Sequence, residues 1–208
     1  MEPLQSIAAF SLAAGLLTVT PGLDTALVLR TAAVEGARRA IQCALGIALG
    51  CCVWGAAASV GLGALLAASR VAYDVLRVAG ALYVLWLGGR MVVAAFRKSA
   101  PLAEAPAPRG TRSWFWRGFL TNLLNPKIGV FYVTFLPLFV PAGSNVAAFS
   151  LLLTGIHVAE GLAWFWLLTT ALKPLARWIR NGRVTRALDG IAGGVLIAFG
   201  VGLFLERR

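Results

Sequence analysis

The chain has few charged residues, and acidic residues are the scarcest of them. Only 13% of its 208 residues are charged, with eight Asp and Glu against 19 Lys and Arg. Soluble domains are nearer a quarter charged and half apolar, whereas this chain is 59% hydrophobic with a mean hydropathy of +0.81. Its apolar residues come in blocks of roughly twenty, long enough to cross a bilayer as helices. The composition therefore excludes an ordinary soluble domain and predicts an all-α polytopic membrane protein.

Cysteine and histidine, the usual ligands of transition metals, are also scarce. Cys43, Cys51 and Cys52 fall in one apolar segment, with a spacing that fits neither a zinc site nor a disulfide framework. His157 is the only histidine, and a metal site around it would need more ligands than the sequence supplies. We therefore expect no metal centre. We also expect no cofactor and a protein that is not an enzyme.

The N-terminus lacks the basic region that a cleaved signal peptide carries. It begins Met1-Glu2-Pro3-Leu4, so we expect the first apolar block to remain as a transmembrane helix. About six spans can be read along the chain, near Leu4–Leu29, Ala40–Ala67, Tyr73–Phe96, Trp114–Val140, Val146–Leu172 and Leu188–Leu205.

Positive charges concentrate in the gaps after the first, third and fifth spans. Such clusters are typical of cytoplasmic loops, so the net charge of +11 indicates topology and no nucleic-acid partner, with both termini outside. Pro101, Pro106 and Pro108 mark residues 97–112 as a flexible linker. It divides a single transmembrane domain, residues 1–208, into two three-helix repeats, 1–96 and 113–208. Because three is odd, the repeats must enter the membrane from opposite sides and are inverted.

Each predicted repeat interrupts an early apolar span with proline and polar residues. Pro21 removes a backbone donor and Gly22 relaxes the helix beside Asp24, a carboxylate that costs about 2.5–3.5 kcal/mol at membrane depth. In the second half, Asn125-Pro126-Lys127 likewise places a proline beside a polar and a charged residue. Proline can act in a membrane helix merely as a kink, but paired interruptions in inverted repeats point to a transporter's central site. The predicted substrate-binding residues are therefore Thr20, Pro21, Gly22, Asp24, Asn122, Asn125, Pro126 and Lys127.

The buried charges have structural and functional interpretations that the sequence leaves open. Asp24 would pair with a cation such as Lys127, hold a substrate ammonium, or accept a coupling proton. Lys127 would be that counter-ion, a cation that reaches the interface, or a site for a substrate carboxylate. His157 and Glu160 lie three residues apart on one helical face, either as a hydrogen-bonded pair or as a proton relay. The proton-coupling candidates are therefore Asp24, His157 and Glu160.

Small residues four positions apart allow membrane helices to approach closely. Gly46 with Gly50, and Gly190 with Gly194, have this spacing. We expect them to form packing seams, either within the helix bundle or between the subunits of a homo-oligomer.

Five motifs stand in order along nearly the whole chain. They are Thr20-Pro21-Gly22-x-Asp24, Gly46-Ile47-Ala48-Leu49-Gly50, Gly80-Ala81-Leu82-Tyr83-Val84-Leu85-Trp86-Leu87-Gly88, Asn122-Leu123-Leu124-Asn125-Pro126-Lys127 and Phe135-Leu136-Pro137-Leu138-Phe139-Val140. Together they resemble the LysE/RhtB family of amino-acid exporters. The resemblance implies a multi-pass carrier of the bacterial inner (plasma) membrane that exports amino acids or related small amine-bearing metabolites, driven by proton antiport. The family commonly has proline at the position of Leu23 and glutamine at the position of Leu138. Because of these two differences, the resemblance does not identify the substrate.

Three other interpretations stay open. A metal or other ion exporter of the same architecture would need clustered His, Cys and carboxylates, and the chain offers His157 with Glu160. A thiol-electron conduit would need a cysteine in each half, and all three lie in the second span. A non-transporting scaffold that binds a partner through its basic loops would leave the paired proline motifs without a role.

Overall fold

The computed structural model describes residues 2–68, 70–96, 113–170 and 182–205, and every regular element in these ranges is a helix. The described part of the chain is thus all-α, as predicted. The predicted linker, residues 97–112, lies outside the described residues. The helices are α1 (Pro3–Val19), α2 (Leu23–Glu35), α3 (Ala37–Ala68), α4 (Arg70–Phe96), α5 (Trp114–Leu123), α6 (Pro126–Val130), α7 (Val146–Thr170) and α8 (Gly182–Leu205), with a π-helical turn (Phe131–Phe135) and a 3₁₀ turn (Leu136–Phe139) after α6.

The predicted spans differ in how continuous they are. The second, third and fifth correspond to the unbroken helices α3, α4 and α7, whereas the first is divided into α1 and α2 and the fourth into α5, α6 and the two tighter turns. The sixth corresponds to α8, but this helix begins at Gly182 and not near Leu188. Arg183 and Arg186, which we expected in a loop, therefore lie in its first turns, where arginine's high helix propensity suits them.

Two helical stretches, Ala37–Gly61 and Val146–Thr170, are each long and apolar enough to cross a membrane. The pair Pro3–Val19 and Leu23–Glu35, bent by 51° at the break between them, makes a third when counted as one span. The structure thus describes a helical protein with two or three stretches of membrane-spanning length, counted within the described ranges.

Local sequence sets several helix ends. The Ser113 hydroxyl accepts the Trp116 N–H at the start of α5, and the Asn145 side chain accepts the Ala148 N–H at the start of α7. Both residue types are favoured helix caps because their oxygens satisfy an unpaired amide. Gly36 follows α2 with a φ of 89°, a left-handed conformation that only glycine adopts freely, and it turns the chain into α3.

Two hydrophobic clusters form the interior. The first joins α1 to the π-helical and 3₁₀ turns, with the rings of Phe10 and Phe139 5.5 Å apart and those of Phe135 and Phe139 4.8 Å apart. The second packs α2 between α3 and α7 around the fully buried Val28 and Leu168. The candidate site lies between these clusters, because its lining takes residues from both.

Glycines form close helix seams, as predicted for one of the two pairs. A Cβ added at Gly46 would lie 2.8 Å from the Phe119 amide nitrogen, and one added at Gly50 would lie 2.5 Å from the Asn122 side-chain oxygen, so α3 and α5 meet where there is no room for side chains. Only part of the Gly190–Gly194 pair contacts α4, where a Cβ added at Gly190 would lie 3.5 Å from the Ala95 side chain. An added Cβ at Gly194 meets no described atom within 4 Å, whereas Gly193 faces the Gly88 carbonyl on α4 at 2.7 Å.

Candidate functional site: a polar cavity at two helix breaks

The first break separates α1 from α2. Pro21 and Gly22 follow α1, and the α2 axis departs from that of α1 by 51°. In a continuous helix the Leu17 carbonyl would accept the N–H of residue 21, but proline has no N–H to donate. The break therefore exposes carbonyl oxygens at the end of α1, and it places Asp24 in the first turn of α2. A carboxylate there interacts favourably with the helix dipole.

The second break separates α5 from α6. Asn125 adopts an extended conformation between them, and its side-chain oxygen accepts the Lys127 N–H at 3.1 Å. Pro126 is the first residue of α6, a position where the missing N–H costs nothing. Both predicted interruptions are therefore true breaks in the helix and not simple kinks.

A buried hydrogen bond connects the two breaks. The Asn122 side-chain amide of α5 donates to Asp24 Oδ2 at 2.8 Å. Asn122 is completely buried, Asp24 is 8% exposed, and the Cys51 sulfur of α3 lies 3.5 Å from the same amide nitrogen. The second carboxylate oxygen, Asp24 Oδ1, is buried and has no hydrogen-bond partner among the described residues. One carboxylate oxygen is thus satisfied by protein, and the other has no described hydrogen-bond partner.

Lys127 contacts backbone carbonyls and does not pair with Asp24. Its Nζ donates to the Leu17 carbonyl at 3.3 Å and to the Thr20 carbonyl at 3.4 Å. Of the interpretations left open for Asp24, the direct ion pair with Lys127 is not formed, since within the described ranges no ion pair of 4.0 Å or less joins these two residues. The physical reason is that Pro21 leaves the Leu17 carbonyl without its helical donor, and the ammonium takes that place. The ammonium of Lys127, which follows the second break, therefore contacts backbone carbonyls at the first break.

His157 and Glu160 also differ from the predicted pair. His157 Nδ1 lies 3.0 Å from the Tyr132 hydroxyl of the π-helical turn, in a buried hydrogen bond. Glu160 is directed toward α1, where its Oε2 lies 3.8 Å from the position of an added Cβ on Gly15. That oxygen is buried and has no hydrogen-bond partner within the described residues. The two side chains share a helix face but reach different neighbours, so of the two interpretations left open the hydrogen-bonded pair is not formed.

The breaks and the middle of α7 enclose one cavity of about 50 Å³, which we call the central cavity. Seven of the predicted site residues line it, namely Thr20, Gly22, Asp24, Asn122, Asn125, Lys127 and His157. Pro21 and Pro126 belong to the breaks beside it, and Glu160 is not among the lining residues. At this volume the cavity is large enough to hold water.

Several lining or supporting residues escaped the sequence analysis. Thr18 lines the cavity with a buried hydroxyl that has no described partner, and Cys51 contacts the Asn122 amide. Tyr132 forms a hydrogen bond with His157. The signal that could have revealed it is a phenol inside an apolar span, because a buried tyrosine usually needs a partner. Gly161 carries no side chain, and nothing in the sequence marked it.

Within the described residues, no group of three or more His, Cys, Asp or Glu side chains lies close enough together to hold a metal ion.

A polar cavity with opposite charges, bounded by broken helices and by stretches of membrane-spanning length, is the construction of a membrane transporter. Residues 16–207 match the family described as LysE type translocator, and the chain belongs to that family. It is accordingly a transporter and not an enzyme.

Its relatives include named efflux proteins. The threonine efflux protein of Escherichia coli (strain K12) is 32% identical over 91% of this chain and 92% of its own length. The homoserine/homoserine lactone efflux protein of Salmonella typhimurium is 28% identical over 96% of each chain. The leucine efflux protein of Enterobacter sp. (strain 638) is 28% identical over 88% of this chain and 87% of its own. No solved structure matches the chain.

Proposed function

We propose that this protein exports amino acids across the plasma membrane in exchange for protons. The observation that carries the proposal is the presence of one carboxylate, Asp24, and one ammonium, Lys127, in the lining of the central cavity, since an amino acid is a zwitterion that needs both. The relatives named for threonine, leucine and homoserine efflux support the same substrate class.

Asp24 is proposed to bind the substrate ammonium. Oδ2 already accepts from Asn122, whereas Oδ1 is buried without a described donor. A buried, unpaired carboxylate oxygen is costly, and an ammonium bound there would supply the missing donor.

Lys127 is proposed to bind the substrate carboxylate. An ammonium has three donors, and the carbonyls of Leu17 and Thr20 accept two of them. The third remains for an anion in the cavity that Lys127 lines. Because the carbonyls belong to the first break, a carboxylate that draws the ammonium away would also loosen the joint between the breaks.

Exchange with protons follows from a shared site. Asp24 Oδ1 can be neutralised either by a substrate ammonium or by a proton, but not by both. Mutual exclusion at one carboxylate makes the site alternate between the two cations, which is antiport. Glu160 is the second candidate for the coupling proton because its buried Oε2 also lacks a described partner.

We further propose that the two breaks belong to inverted three-helix repeats, residues 1–96 and 113–208, joined by a linker at 97–112, with six spans in the inner membrane. The placement of one break from each half at a common cavity supports this arrangement. Exposed apolar side chains at four-residue spacing on α3, Leu45, Leu49 and Val53, provide a surface for the bilayer.

The test is efflux from proteoliposomes loaded with labelled amino acids, with and without an imposed pH gradient. We expect release of one or a few amino acids, faster when the gradient drives protons inward. Asp24→Asn should slow that release about 10- to 150-fold, the equivalent of the 1.5–3 kcal/mol of a hydrogen bond to a charged group.

Glu35→Gln is the matched control because it removes a carboxylate from the same helix outside the cavity. Glu35 contacts Arg39 at the surface, and we expect near-normal efflux. Folded protein that releases no amino acid would refute the proposed function. Release that ignores the gradient would refute the proton exchange alone.

A further inference from the structure

One face of α7 forms a wall of the central cavity. Its lining residues are His157, Val158, Gly161, Leu162 and Phe165. Their spacing of one, four, five and eight positions places them on a single stripe of an α-helix. Gly161 lies near the middle of that stripe, so a side chain there would be directed into the cavity.

Gly161 leaves this wall open. A Cβ added to it would meet no described atom within 4 Å. Gly50 and Gly129 are closed off by contrast, because an added Cβ would lie 2.5 Å from the Asn122 oxygen at Gly50 and 2.8 Å from the Trp54 ring at Gly129. Those glycines serve helix packing, whereas Gly161 borders empty space.

The surroundings of this space are mainly apolar. Ile47, Ile128, Leu162 and Phe165 line the cavity, and Thr18 adds a hydroxyl oxygen without a described partner. The charged groups of the lining are those that the proposed function assigns to the substrate's ammonium and carboxylate. A substrate side chain placed here would therefore meet aliphatic surface and a hydroxyl, with no charge left to pair with one of its own.

We infer that Gly161 sets the upper size limit on the side chain of the exported amino acid, and that the recess beside it accepts uncharged side chains. The inference rests on the proposed function, because it takes the ammonium and carboxylate to be bound at the two breaks. Its physical basis is that each methyl group added at Gly161 fills the volume that a methyl group of the substrate would occupy.

The test compares wild-type protein with Gly161→Ala and Gly161→Val in proteoliposomes loaded with equal amounts of labelled alanine, serine, threonine, valine, leucine and lysine. The readout is the efflux rate of each amino acid relative to the smallest one exported. We expect the larger side chains to be lost first, by about tenfold or more for each added methyl group. Lysine should be excluded throughout.

Gly155→Val is the matched control. Gly155 lies on the same helix, is exposed, is not among the cavity-lining residues, and has no described atom within 4 Å of an added Cβ. It reproduces the backbone effect of replacing a helical glycine, and its relative rates should equal those of the wild type. Stabilisation of the detergent-solubilised variants by each amino acid should follow the same size order as efflux.

The outcomes separate the inference from the function on which it rests. Unchanged relative rates in both Gly161 variants, or an equal loss for every amino acid, would refute the size limit while export stands. Efficient export of lysine would refute the uncharged recess. Wild-type protein that releases none of the six would refute the proposed function, and the size limit with it.

Discussion

A single methyl group added at Gly50, which does not line the central cavity, should disturb the cavity by displacing Asn122, which does. A Cβ at this position would lie 2.5 Å from Asn122 Oδ1 and 3.0 Å from both Cβ and Cγ of that side chain. An ordinary contact begins at 3.4 Å, so the amide oxygen must retreat by about 0.9 Å. Asn122 is completely buried and donates to Asp24 at 2.8 Å, and a retreat of that size directly away would carry the bond beyond 3.5 Å.

The cost of Gly50→Ala can be assembled from known effects. Overpacking a filled interior costs about 1–3 kcal/mol, and weakening a buried hydrogen bond costs about 1–3 kcal/mol more. Alanine recovers about 1 kcal/mol through its higher helix propensity. The balance is about 3 kcal/mol of destabilisation, which for a chain of this length lowers Tm by roughly 6–12 °C.

Thermal unfolding followed by tryptophan fluorescence, together with efflux, checks this reasoning. The chain contains seven tryptophans as probes. Gly155→Ala is the control because it changes helix propensity alone, and its Tm should equal or slightly exceed that of the wild type. A Gly50→Ala protein with wild-type Tm and wild-type efflux would show that Asn122 moves freely and that the seam does not position the site.

Three further perturbations test the parts of the site separately. Lys127→Met removes the ammonium that the α1 carbonyls accept, and we expect efflux to fall at least about tenfold; normal efflux would exclude Lys127 from substrate binding. Tyr132→Phe leaves the His157 nitrogen without its partner, and differential scanning fluorimetry should show Tm lower by about 2–4 °C for about 1 kcal/mol lost; an unchanged Tm would mean that the hydrogen bond contributes nothing to stability. If Asp24 carries the coupling proton, efflux by the Glu160→Gln variant should still be accelerated by a pH gradient. Loss of that acceleration while the variant still binds substrate would instead assign the coupling proton to Glu160.

Several properties followed from sequence because their causes are local. Apolar blocks of membrane length predict helices wherever they occur, and proline interrupts a helix through its own missing N–H. The breaks at Pro21 and Pro126 depended on nothing more distant than a few neighbouring positions, whereas the choice of Asp24 and Lys127 as site residues also used the recurrence of the interruption in both halves of the chain. The LysE resemblance used the same short motifs, and the family match confirms it.

The hydrogen-bond partners of the site residues could not be predicted in the same way, because they lie on other helices. Asp24 Oδ2 accepts a hydrogen bond from Asn122, 98 positions away. Lys127 instead donates to the Leu17 carbonyl, which Pro21 leaves without its helical donor. His157 contacts Tyr132 instead of the nearer Glu160.

The sequence by itself therefore determined which segments are helical, where two of them break, and which charges lie at the breaks. Only the tertiary structure decided which atoms those charges meet and where space remains, as at Gly161. The physical reason is one of range: backbone hydrogen bonding and hydropathy act within a few residues, whereas side-chain partners and cavities depend on which helices pack together.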